Sequence, residues 1–377
     1  MRIMIVAESF LPRTNGVVNT VMRVAKYLRG TGHEVLILAP GLNASRSYEG
    51  VPIVRTASVV IPGIPETDLA FVSTAQIVRE IRKFTPDVIH LASPFILGER
   101  ALKAAASEDV PTVAVFQTDV AGFAVHYGLA FAMRAADAWV GRIHRAADIT
   151  LAPCSDMATY LLNLGVLEVR RWGRGVDHTT FSPEFRSPEL RASWVGTSDK
   201  KVVGFVGRLA PEKKIEKLAL LNDRSDIQVV VIGDGPERQR LGRVLPHAIF
   251  TGALQGRELG TAMASLDVLV APGEKETFCQ VVQEGMASGV PVVAPNVGGP
   301  RDLIDHRVNG VLYTPGSDAH LLSAIESLLV ERELASEVIE AGIHTVRHRT
   351  WSSVNSELID HYSDAIMRKL VKSRAVA

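Results

Sequence analysis

Two carboxylates with seven residues between them, Glu276 and Glu284, lie between two short apolar runs of the sequence. If residues 278–288 are helical, Glu276 lies at the positive N-terminal end of this helix and Glu284 lies about two turns along it. The two carboxylates then lie beside backbone N–H groups that can hold a phosphate. Pairs of glutamates at this spacing are also common on solvated surface helices, so the surrounding residues decide what the pair means.

Two cations, Arg208 and Lys213, follow a continuous apolar run that begins directly after Lys201. The run predicts a buried strand, a sharp turn and a helix that begins near Pro211. Both cations would then lie at the carboxyl edge of a parallel sheet, where open α/β sheets bind ligands. An arginine donates a fork of hydrogen bonds to phosphate oxygens and a lysine supplies a compact charge, whereas most surface cations are only solvated.

Short apolar runs and helical patterns follow one another in both halves of the chain. Such runs are typical of strands that are covered on both faces of a parallel sheet. In the first half we expect a helix at 16–28 and strands at 3–7, 87–91, 112–116, 149–152 and 169–172. In the second half we expect helices at 257–265 and 319–329 and strands at 227–232, 249–252, 268–271, 290–294 and 310–313. The pattern predicts an α/β protein with two Rossmann-like domains, which also suits a length of 377 residues.

Charge and cysteine content argue against several classes of protein. The 41 basic and 41 acidic residues give a formal net charge of zero, which argues against binding of nucleic acid by bulk electrostatics. The two cysteines, Cys154 and Cys279, form no Cys-x-x-Cys pair and fit a reduced cytoplasmic protein, with Cys279 a packing residue rather than a nucleophile. The apolar run at 1–7 predicts a first strand rather than a signal peptide, and no run has the length of a transmembrane helix.

Four motifs occur in order in the second half of the chain. They are Gly207-Arg-Leu with Glu212-Lys213, Gly233-Asp-Gly-Pro-Glu237, the Glu276/Glu284 pair, and Gly298-Gly-Pro300. Together they resemble the retaining glycosyltransferases of the GT-B fold, in the glycogen-synthase-like family four. The resemblance covers essentially the whole chain. It implies two Rossmann-like parallel-sheet domains that face each other across a cleft, and a reaction that moves a hexose from a nucleotide-sugar.

Domain boundaries follow from composition and from this resemblance. The first domain is expected at 1–174, and the polar, turn-rich segment 175–200 is expected to link it to a nucleotide-sugar-binding domain at 201–350. The sequence Gly175-Val-Asp177 with Phe181 and Pro183 matches the family's interdomain connection. The resemblance further implies that a C-terminal helix, at about 351–377, packs back on the first domain.

The resemblance also assigns roles to four charged residues. Arg208 and Lys213 would stabilise the negative charge that develops as the sugar–phosphate bond breaks. Glu276 would hold sugar hydroxyls beside a partly cationic sugar ring, and Glu284 would accept hydrogen bonds from the nucleotide ribose. Retention in this family is usually explained by front-face attack, in which the leaving phosphate takes the proton of the acceptor. Hence no nucleophile of the enzyme is required.

Further contacts to the nucleotide-sugar are implied in both domains. Gly16 in the first domain could be only the start of a helix, but it would also let backbone N–H groups approach a diphosphate. Relatives often have two glycines here, so Asn15 is expected to contact the substrate itself. The remaining contacts are implied at Gly207 and Gly235, and at Thr277, Phe278 and Cys279, whose backbone N–H groups would face sugar or phosphate. Thr277 stands where glycine is common.

The acceptor side is expected directly after the strand at 112–116. The segment Gln117-Thr118-Asp119 is similar to His-Thr-Asp/Asn in the glycolipid-forming branch of the family, which includes sulfoquinovosyl- and digalactosyl-diacylglycerol synthases. This chain has Gln117 in place of the histidine, so Asp119 is the expected catalytic contact with the reacting sugar or the acceptor hydroxyl. His126 is an alternative candidate for the role of the missing histidine, although a lone histidine is more often a packing or surface residue.

The residues around Gly16 and Asp119 together look closest to the actinobacterial GDP-mannose-dependent α-mannosyltransferases that act on lipid acceptors. The expected partners are therefore a nucleotide-sugar donor, GDP-mannose, and a lipid or glycolipid acceptor, with peripheral contact to the cytoplasmic face of the membrane. The apolar segment 59–65, with two prolines, is either a covered loop or a lip that touches acyl chains. Arg79, Arg82 and Lys83 nearby in sequence could face anionic lipid.

No Asp-x-Asp sequence occurs anywhere in the chain. The usual carboxylate clamp for a divalent metal on a nucleotide diphosphate is therefore not apparent. We expect neither a metal nor a cofactor, and we expect protein cations to take the place of the metal.

Several other functions fit parts of the sequence. A nucleotide-sugar 2-epimerase shares the fold but would release a free sugar, and a transferase of the same fold could use a UDP-sugar. A dinucleotide oxidoreductase would need Gly-x-Gly-x-x-Gly after a strand, and the segment at Gly233 lacks the third glycine. A non-catalytic nucleotide-binding protein would be expected to have lost Arg208, Lys213 or Glu276, and all three are present.

Overall fold

The structure is a computed structural model, and it describes residues 1–13, 15–60, 68–117 and 133–376. The chain divides into two compact units. The first contains Met1–Gly173 and Ser352–Ala377, and the second contains Arg174–Trp351. Each unit is an α/β sandwich built on a largely or wholly parallel sheet, as the alternation of strand and helix patterns predicts.

The first unit contains a sheet whose central strands are all parallel. In the described ranges its order is β3-β4-β2-β1-β6-β7-β8-β9, and β5 pairs with β4. Only the pairings of β3 and β5 with β4 are antiparallel. The strands are β1 (Arg2–Ala7), β2 (Glu34–Pro40), β3 (Ser47–Tyr48), β4 (Val51–Val60), β5 (Asp68–Phe71), β6 (Val88–Ala92), β7 (Thr112–Val115), β8 (Ile149–Ala152) and β9 (Val169–Arg171).

Both faces of this sheet are buried, because successive side chains of a strand point to opposite faces. Ile3 and Ile5 of β1 lie in one hydrophobic cluster, and Met4 and Val6 lie in another. The faces are covered by helices α1 (Gly16–Gly30), α2 (Thr74–Phe84), α3 (Ile96–Ser107), α4 (Met133–Ala146) and α5 (Ser155–Asn163). The apolar runs of the strands therefore lack alternation, as is typical of covered parallel sheets.

The second unit contains a wholly parallel sheet of order β12-β11-β10-β13-β14-β15. Its strands are β10 (Lys201–Val206), β11 (Ile227–Ile232), β12 (Ile249–Gly252), β13 (Val268–Val270), β14 (Val292–Pro295) and β15 (Val311–Tyr313). The helices are α6 (Pro188–Val195), α7 (Arg238–Val244), α8 (Gly256–Ala264), α9 (Gln280–Ala287), α10 (Gly298–Leu303), α11 (Asp318–Val330) and α12 (Arg332–Val346). The predicted strands at 227–232 and 249–252 have the observed bounds.

Two predicted helices differ from the observed elements. The helix expected near Pro211 is a 3₁₀ helix, Pro211–Lys213, followed by a second 3₁₀ helix, Ile215–Leu221. Lys214 between them has a left-handed backbone, with φ 54° and ψ 33°, which interrupts an α-helix. The helix expected at 278–288 begins at Gln280, for a reason given below.

The segment 175–200, for which a linker was expected, contains a 3₁₀ helix, Pro183–Phe185, and α6. Its residues Val176, Phe181 and Trp194 are buried in a hydrophobic cluster with strands and helices of the second unit. Arg186 and Arg191 both bind the carboxylate of Asp267, at 2.8 and 2.9 Å. This segment is therefore a packed part of the second unit.

The C-terminal helix α13 (Trp351–Val376) belongs to the first unit from Ser352 onward. Val354, Leu358 and Tyr362 lie on one face and are buried in the same cluster as Ile3 and Ile5. The hydroxyl of Tyr362 lies 2.7 Å from Nδ1 of His90 on β6, and both side chains are fully buried. No helix within the described ranges is both long and apolar enough to cross a membrane.

Candidate active site

The topology of the second sheet brings the predicted site residues to one edge. Strand β10 pairs in parallel with β11 on one side and with β13 on the other. The loops that follow these three strands therefore leave the sheet at the same carboxyl edge. Arg208 follows β10, Gly235 follows β11, and Glu276 follows β13. Lys213 and Glu276, 63 positions apart in sequence, thus become neighbours.

Lys213 and Glu276 form an ion pair at this edge. Lys213 Nζ donates to Glu276 Oε1 at 2.5 Å, and the two side chains are only 26% and 18% exposed. Burial alone would lower the pKa of Lys213, but the charge of Glu276 and its hydrogen bond, with smaller contributions from Cys279 and Glu212, raise the pKa above the usual range. Lys213 is therefore a fixed cation.

Arg208 lies at the same edge but is paired differently. Its Nη2 donates to Glu212 Oε1 at 2.6 Å, and the arginine side chain is 49% exposed. Glu212 was not among the predicted site residues, although Glu212-Lys213 is part of the motif that carried the resemblance. The signal in the sequence is its spacing of four residues from Arg208. Glu212 thus holds Arg208 while Glu276 holds Lys213, so both cations have a carboxylate partner.

The segment between Glu276 and α9 has an unusual backbone. Cys279 precedes the helix and has φ 64° and ψ 63°, in the left-handed region that non-glycine residues rarely occupy. A residue in this conformation cannot continue a right-handed helix, so α9 begins at Gln280 rather than at 278. Glu284 is consequently the fifth residue of the helix, and Glu276 lies four residues before the first helical residue, Gln280. The helix was expected to begin at Phe278, so its start is displaced by two residues, and Glu276 lies about half a turn farther from the helix than expected.

Two glycines allow this segment to pack closely against α10. A side chain at Gly298 would lie 2.6 Å from the carbonyl oxygen of Glu276, and one at Gly299 would lie 2.3 Å from the carbonyl oxygen of Phe278. The N–H of Gly299 also donates to the Glu276 carbonyl at 2.9 Å. The Gly298-Gly-Pro300 motif therefore supports the backbone that carries Glu276.

The glycines after β10 and β11 pack against each other. Gly207 and Gly233 have φ angles of 148° and 144°, and a side chain at Gly233 would collide with the carbonyl oxygen of Gly207 at 1.9 Å. A side chain at Gly235 would lie 2.4 Å from the carbonyl oxygen of Leu209. Close backbone packing thus requires glycine at Gly233 and Gly235, and the positive φ of Gly207 favours glycine there, at the edge where Gly207 and Gly235 are expected to meet the nucleotide-sugar.

The thiol of Cys279 is 6% exposed and lies in a hydrophobic cluster. Burial, followed by the charge of Glu276, raises its pKa well above the usual range. The thiol therefore stays protonated, as expected for a packing residue rather than a nucleophile.

In the first unit, Asn15 caps helix α1. Its Oδ1 accepts hydrogen bonds from the N–H groups of Val17 and Val18, at 3.0 and 2.9 Å, and its carbonyl accepts from Asn19 at 3.0 Å. Gly16 is the exposed first residue of the helix. The side chain of Asn15 thus occupies two of the N–H groups that lack an intrahelical partner at this helix end, those of Val17 and Val18.

The acceptor-side residues are only partly described. Gln117 follows β7 at the carboxyl edge of the first sheet and is 9% exposed. Thr118, Asp119 and His126 lie outside the described residues, as does most of the segment 59–65. Val59 itself is 57% exposed near the end of β4.

The basic cluster expected to face lipid includes a paired residue. Arg82 at the end of α2 donates two hydrogen bonds of 2.9 Å to the carboxylate of Glu108.

Within the described parts of the chain, no group of three or more His, Cys, Asp or Glu side chains is arranged to hold a metal ion.

Comparison with known proteins adds the family. Residues 14–180 match the profile described as Glycosyltransferase Family 4, and residues 187–345 match the profile described as Glycosyl transferases group 1. The chain is 48% identical over 379 aligned residues to a GDP-mannose-dependent alpha-mannosyltransferase of Mycolicibacterium smegmatis, covering 99% of this chain and 100% of that one. The chain therefore belongs to the glycosyltransferase family that these two profiles and this relative represent.

A more distant relative and a solved structure are also similar to this glycosyltransferase. It is 28% identical to a phosphatidyl-myo-inositol mannosyltransferase of Propionibacterium freudenreichii, over 97% of this chain and 95% of that one. The structure of a sucrose-phosphate synthase from Thermosynechococcus elongatus superposes with a TM-score of 0.79 at 17% identity, covering 98% of this chain and 100% of the other. The expected GT-B fold and the expected glycosyltransferase family are confirmed. The epimerase alternative is not favoured.

Proposed function

We propose that this glycosyltransferase moves a mannosyl group from GDP-mannose to a hydroxyl of a lipid-linked acceptor, with retention at the transferred carbon. The observation that carries the proposal is the Lys213–Glu276 ion pair at the carboxyl edge of the second sheet, beside Arg208. The donor is supported by the 48% identity to a GDP-mannose-dependent enzyme, and the lipid acceptor by the likeness to a phosphatidyl-myo-inositol mannosyltransferase.

Lys213 and Arg208 are proposed to bind the donor diphosphate. Without donor, each cation is held by a carboxylate, so its charge is already in place at the sheet edge. Phosphate oxygens would compete with Glu276 and Glu212 for these N–H groups. Charges that are fixed before the reaction stabilise the leaving diphosphate without costly reorganisation.

Group transfer then needs no nucleophile from the protein. The bond between the sugar's C1 and the phosphate oxygen breaks, and its electron pair stays with that oxygen. The acceptor oxygen forms its bond to C1 on the same face, and its proton passes to the departing phosphate oxygen. Lys213 and Arg208 stabilise the GDP product in the role that a divalent metal has in enzymes with an Asp-x-Asp clamp.

The two glutamates would divide the rest of the donor between them. Glu276, once Lys213 turns to phosphate, can accept hydrogen bonds from the hydroxyls of the mannosyl group. Glu284 on α9 would accept from the ribose hydroxyls. Asp119 and Gln117 of the first unit are proposed to meet the acceptor. Because a lipid-linked hydroxyl lies at a membrane surface, we place the reaction at the cytoplasmic face of the membrane.

A thermal-shift panel tests the donor class. A ligand that binds only the folded state at about a hundred times its Kd stabilises it by about 2.7 kcal/mol. We expect GDP and GDP-mannose to raise Tm, UDP and ADP to have little effect, and Lys213→Ala to remove most of the GDP shift. A larger shift with UDP would contradict GDP-mannose as the donor.

A transfer assay tests the reaction. Labelled GDP-mannose and a diacylglycerol-linked sugar should give a labelled, chloroform-soluble product. Release of free epimerised sugar at the same rate with and without acceptor would instead support the 2-epimerase.

A further inference from the structure

The loop that carries Glu276 connects β13 to α9 and is held at both of its ends. Near α9, the N–H of Gly299 holds the carbonyl of Glu276, as described above. Near β13, a separate set of contacts reaches the loop from the end of β15 and from the second 3₁₀ helix. The motifs of the sequence do not single out the residues of this second set.

Tyr313, the last residue of β15, holds the beginning of the loop. Its hydroxyl donates to the carbonyl of Pro272 at 3.1 Å. The side chain of Tyr313 is buried in the hydrophobic core of the second unit, so the hydroxyl has a fixed position. Because a buried carbonyl needs a donor, this hydrogen bond fixes the backbone of Pro272.

Glu274, two residues before Glu276, is bound by the loop that follows β15. The N–H of Gly316 donates to Glu274 Oε1 at 3.0 Å. Nζ of Lys217 lies 3.6 Å from the same oxygen and donates to Asp318 Oδ1 at 3.1 Å. The side chains of Lys217 and Glu274 are only 14% and 29% exposed, so water and salt screen this pair less than an ordinary surface pair.

The carboxylate of Glu276 rests on the same stretch of loop. A side chain at Gly273 would lie 3.1 Å from Glu276 Oε1 and 3.3 Å from the carbonyl oxygen of Glu212, closer than side chains normally pack. The carboxylate therefore lies directly over Gly273. The residues on either side of Gly273 are Pro272 and Glu274, the two that are held from β15 and the loop after it.

We propose that Glu274 is a positioning residue that keeps the carboxylate of Glu276 where the sugar hydroxyls of the donor meet it. Lys217, Tyr313 and Gly316 supply the contacts that hold Glu274 and the loop around it. The proposal rests on the role of Glu276 proposed above and adds the device that fixes it. A group that is in place before the reaction needs no reorganisation, and a small displacement of its backbone lowers the rate.

This role separates sugar transfer from nucleotide binding. Arg208 and Glu284, which are proposed to bind the diphosphate and the ribose, lie on other segments, after β10 and on α9. Loss of the contacts of Glu274 should therefore lower kcat and leave the affinity for GDP nearly unchanged. A residue that only stabilises the fold would not divide the two quantities in this way.

Two variants and a matched control test the role. Glu274→Ala removes both contacts of the carboxylate, whereas Glu274→Gln keeps an acceptor for the N–H of Gly316 and loses the charge that faces Lys217. The control is Glu331→Ala. Glu331 accepts a hydrogen bond of 2.7 Å from Arg307 in the same unit, but it follows the end of α11 and lies at the amino edge of the sheet.

For Glu274→Ala we expect kcat to fall about tenfold to a hundredfold. The Kd of GDP, measured by calorimetry, should stay within about twofold of the wild type. Glu274→Gln should lose less, because the hydrogen bond from Gly316 is shorter than the 3.6 Å contact with Lys217. Glu331→Ala should match the wild type in both quantities.

A double-mutant cycle tests whether Glu274 acts through Glu276. In the Glu276→Gln background, Glu274→Ala should lower kcat by no more than about a further twofold, because residues that act as a unit are not additive. Three results would each overturn the inference and leave the proposed function intact: wild-type kcat in Glu274→Ala, a GDP affinity that falls as far as kcat, or single effects that multiply in the double variant.

Failure of the proposed function gives different results. If the wild type transfers no sugar from GDP-mannose, or if Glu276→Gln keeps the wild-type kcat, the proposed reaction or the proposed role of Glu276 is contradicted before Glu274 is changed. The two failures are therefore distinguishable.

Discussion

The two units use the same architecture but place their charged groups differently. In the second unit, charged side chains meet in pairs at the carboxyl edge of the sheet, as Lys213 does with Glu276 and Arg208 with Glu212. In the first unit, ionisable groups such as His90 and His144 are buried inside the core. Burial lowers the pKa of His90 to about 3 and that of His144 to about 4, so both are neutral.

The first unit also buries a carboxyl group at the end of β1. Both oxygens of Glu8 accept backbone N–H groups at the start of α3, from Phe95, Leu97 and Gly98, at 2.6 to 3.1 Å. Burial raises the pKa of Glu8 to about 7 even so. These buried polar groups of the first unit thus fix its own loops, whereas the charged pairs Lys213–Glu276 and Arg208–Glu212 of the second unit lie at the carboxyl edge of its sheet. The difference agrees with the proposal above that the second unit binds the donor.

The largest effect should come from the charged edge of the second unit. Lys213→Ala should lower the transfer rate by about a hundredfold to a thousandfold, because a preorganised charge is lost where the phosphate develops its negative charge. The matched control is Lys214→Gln, at the exposed neighbouring lysine. Steady-state kinetics with GDP-mannose measures both. Equal rates in the two variants would contradict the role of Lys213.

A second prediction compares one residue from each unit. Glu284→Ala should weaken GDP affinity by about tenfold to a hundredfold, the value of a hydrogen bond to a charged group. Gly16→Val should keep GDP affinity near that of the wild type but suppress transfer, because a branched side chain at the start of α1 blocks close approach of a diphosphate. Calorimetry gives the affinities and a transfer assay gives the rates. The same loss of affinity in both variants would mean that the units share nucleotide binding.

A third prediction concerns the buried histidine of the first unit. Because the folded-state pKa of His90 is about 3, and a free histidine titrates near about 6.5, the unfolded chain binds a proton first as pH falls. Stability should therefore be lost between these two values, by about 1.4 kcal/mol per pH unit below about 6.5.

The double variant His90→Leu/Tyr362→Phe removes both partners of the buried hydrogen bond and serves as the reference. Hydrogen exchange of the β6 amides, at about pH 7 and about pH 5.5, reports the opening free energy of the first unit. The wild type should lose about 1.4 kcal/mol more than the double variant between these conditions. An identical pH response would show that His90 is protonated in the folded state.

The smallest expected effect is that of a chelator. If Arg208 and Lys213 supply the charge that neutralises the diphosphate, EDTA should leave the initial transfer rate unchanged. Loss of activity with EDTA, restored by magnesium or manganese, would mean that a metal ion takes part at this edge. The charged side chains of the second unit would then be insufficient to neutralise the diphosphate.

Strand positions were predictable because a covered parallel strand needs a continuous apolar run. Residues 149–152, 227–232 and 249–252 were predicted with the bounds that the structure shows. The start of α9 was not predictable, because the left-handed conformation of Cys279 depends on its packing and not on its residue type. Likewise, nothing in the local sequence distinguishes the 3₁₀ helix at Pro211 from an α-helix.

The interaction partners of the site residues were harder to predict from the sequence than the site residues themselves. The motifs singled out Lys213 and Glu276, but their contact depends on β10 and β13 being neighbours in the sheet. The cap formed by Asn15 Oδ1 could be expected from residue type, since asparagine is a preferred N-cap.

The second unit is one uninterrupted stretch of chain whose two ends lie side by side. The N–H of Val176 donates to the carbonyl of Arg349 at 2.7 Å, and Val176 and Thr350 form a parallel bridge. Adjacent termini are the arrangement that permits a domain to be inserted into, or removed from, a host protein. The stretch 174–351 can therefore be treated as an exchangeable cassette: swapped between homologues, it should carry donor preference with it, while the acceptor preference stays with the recipient.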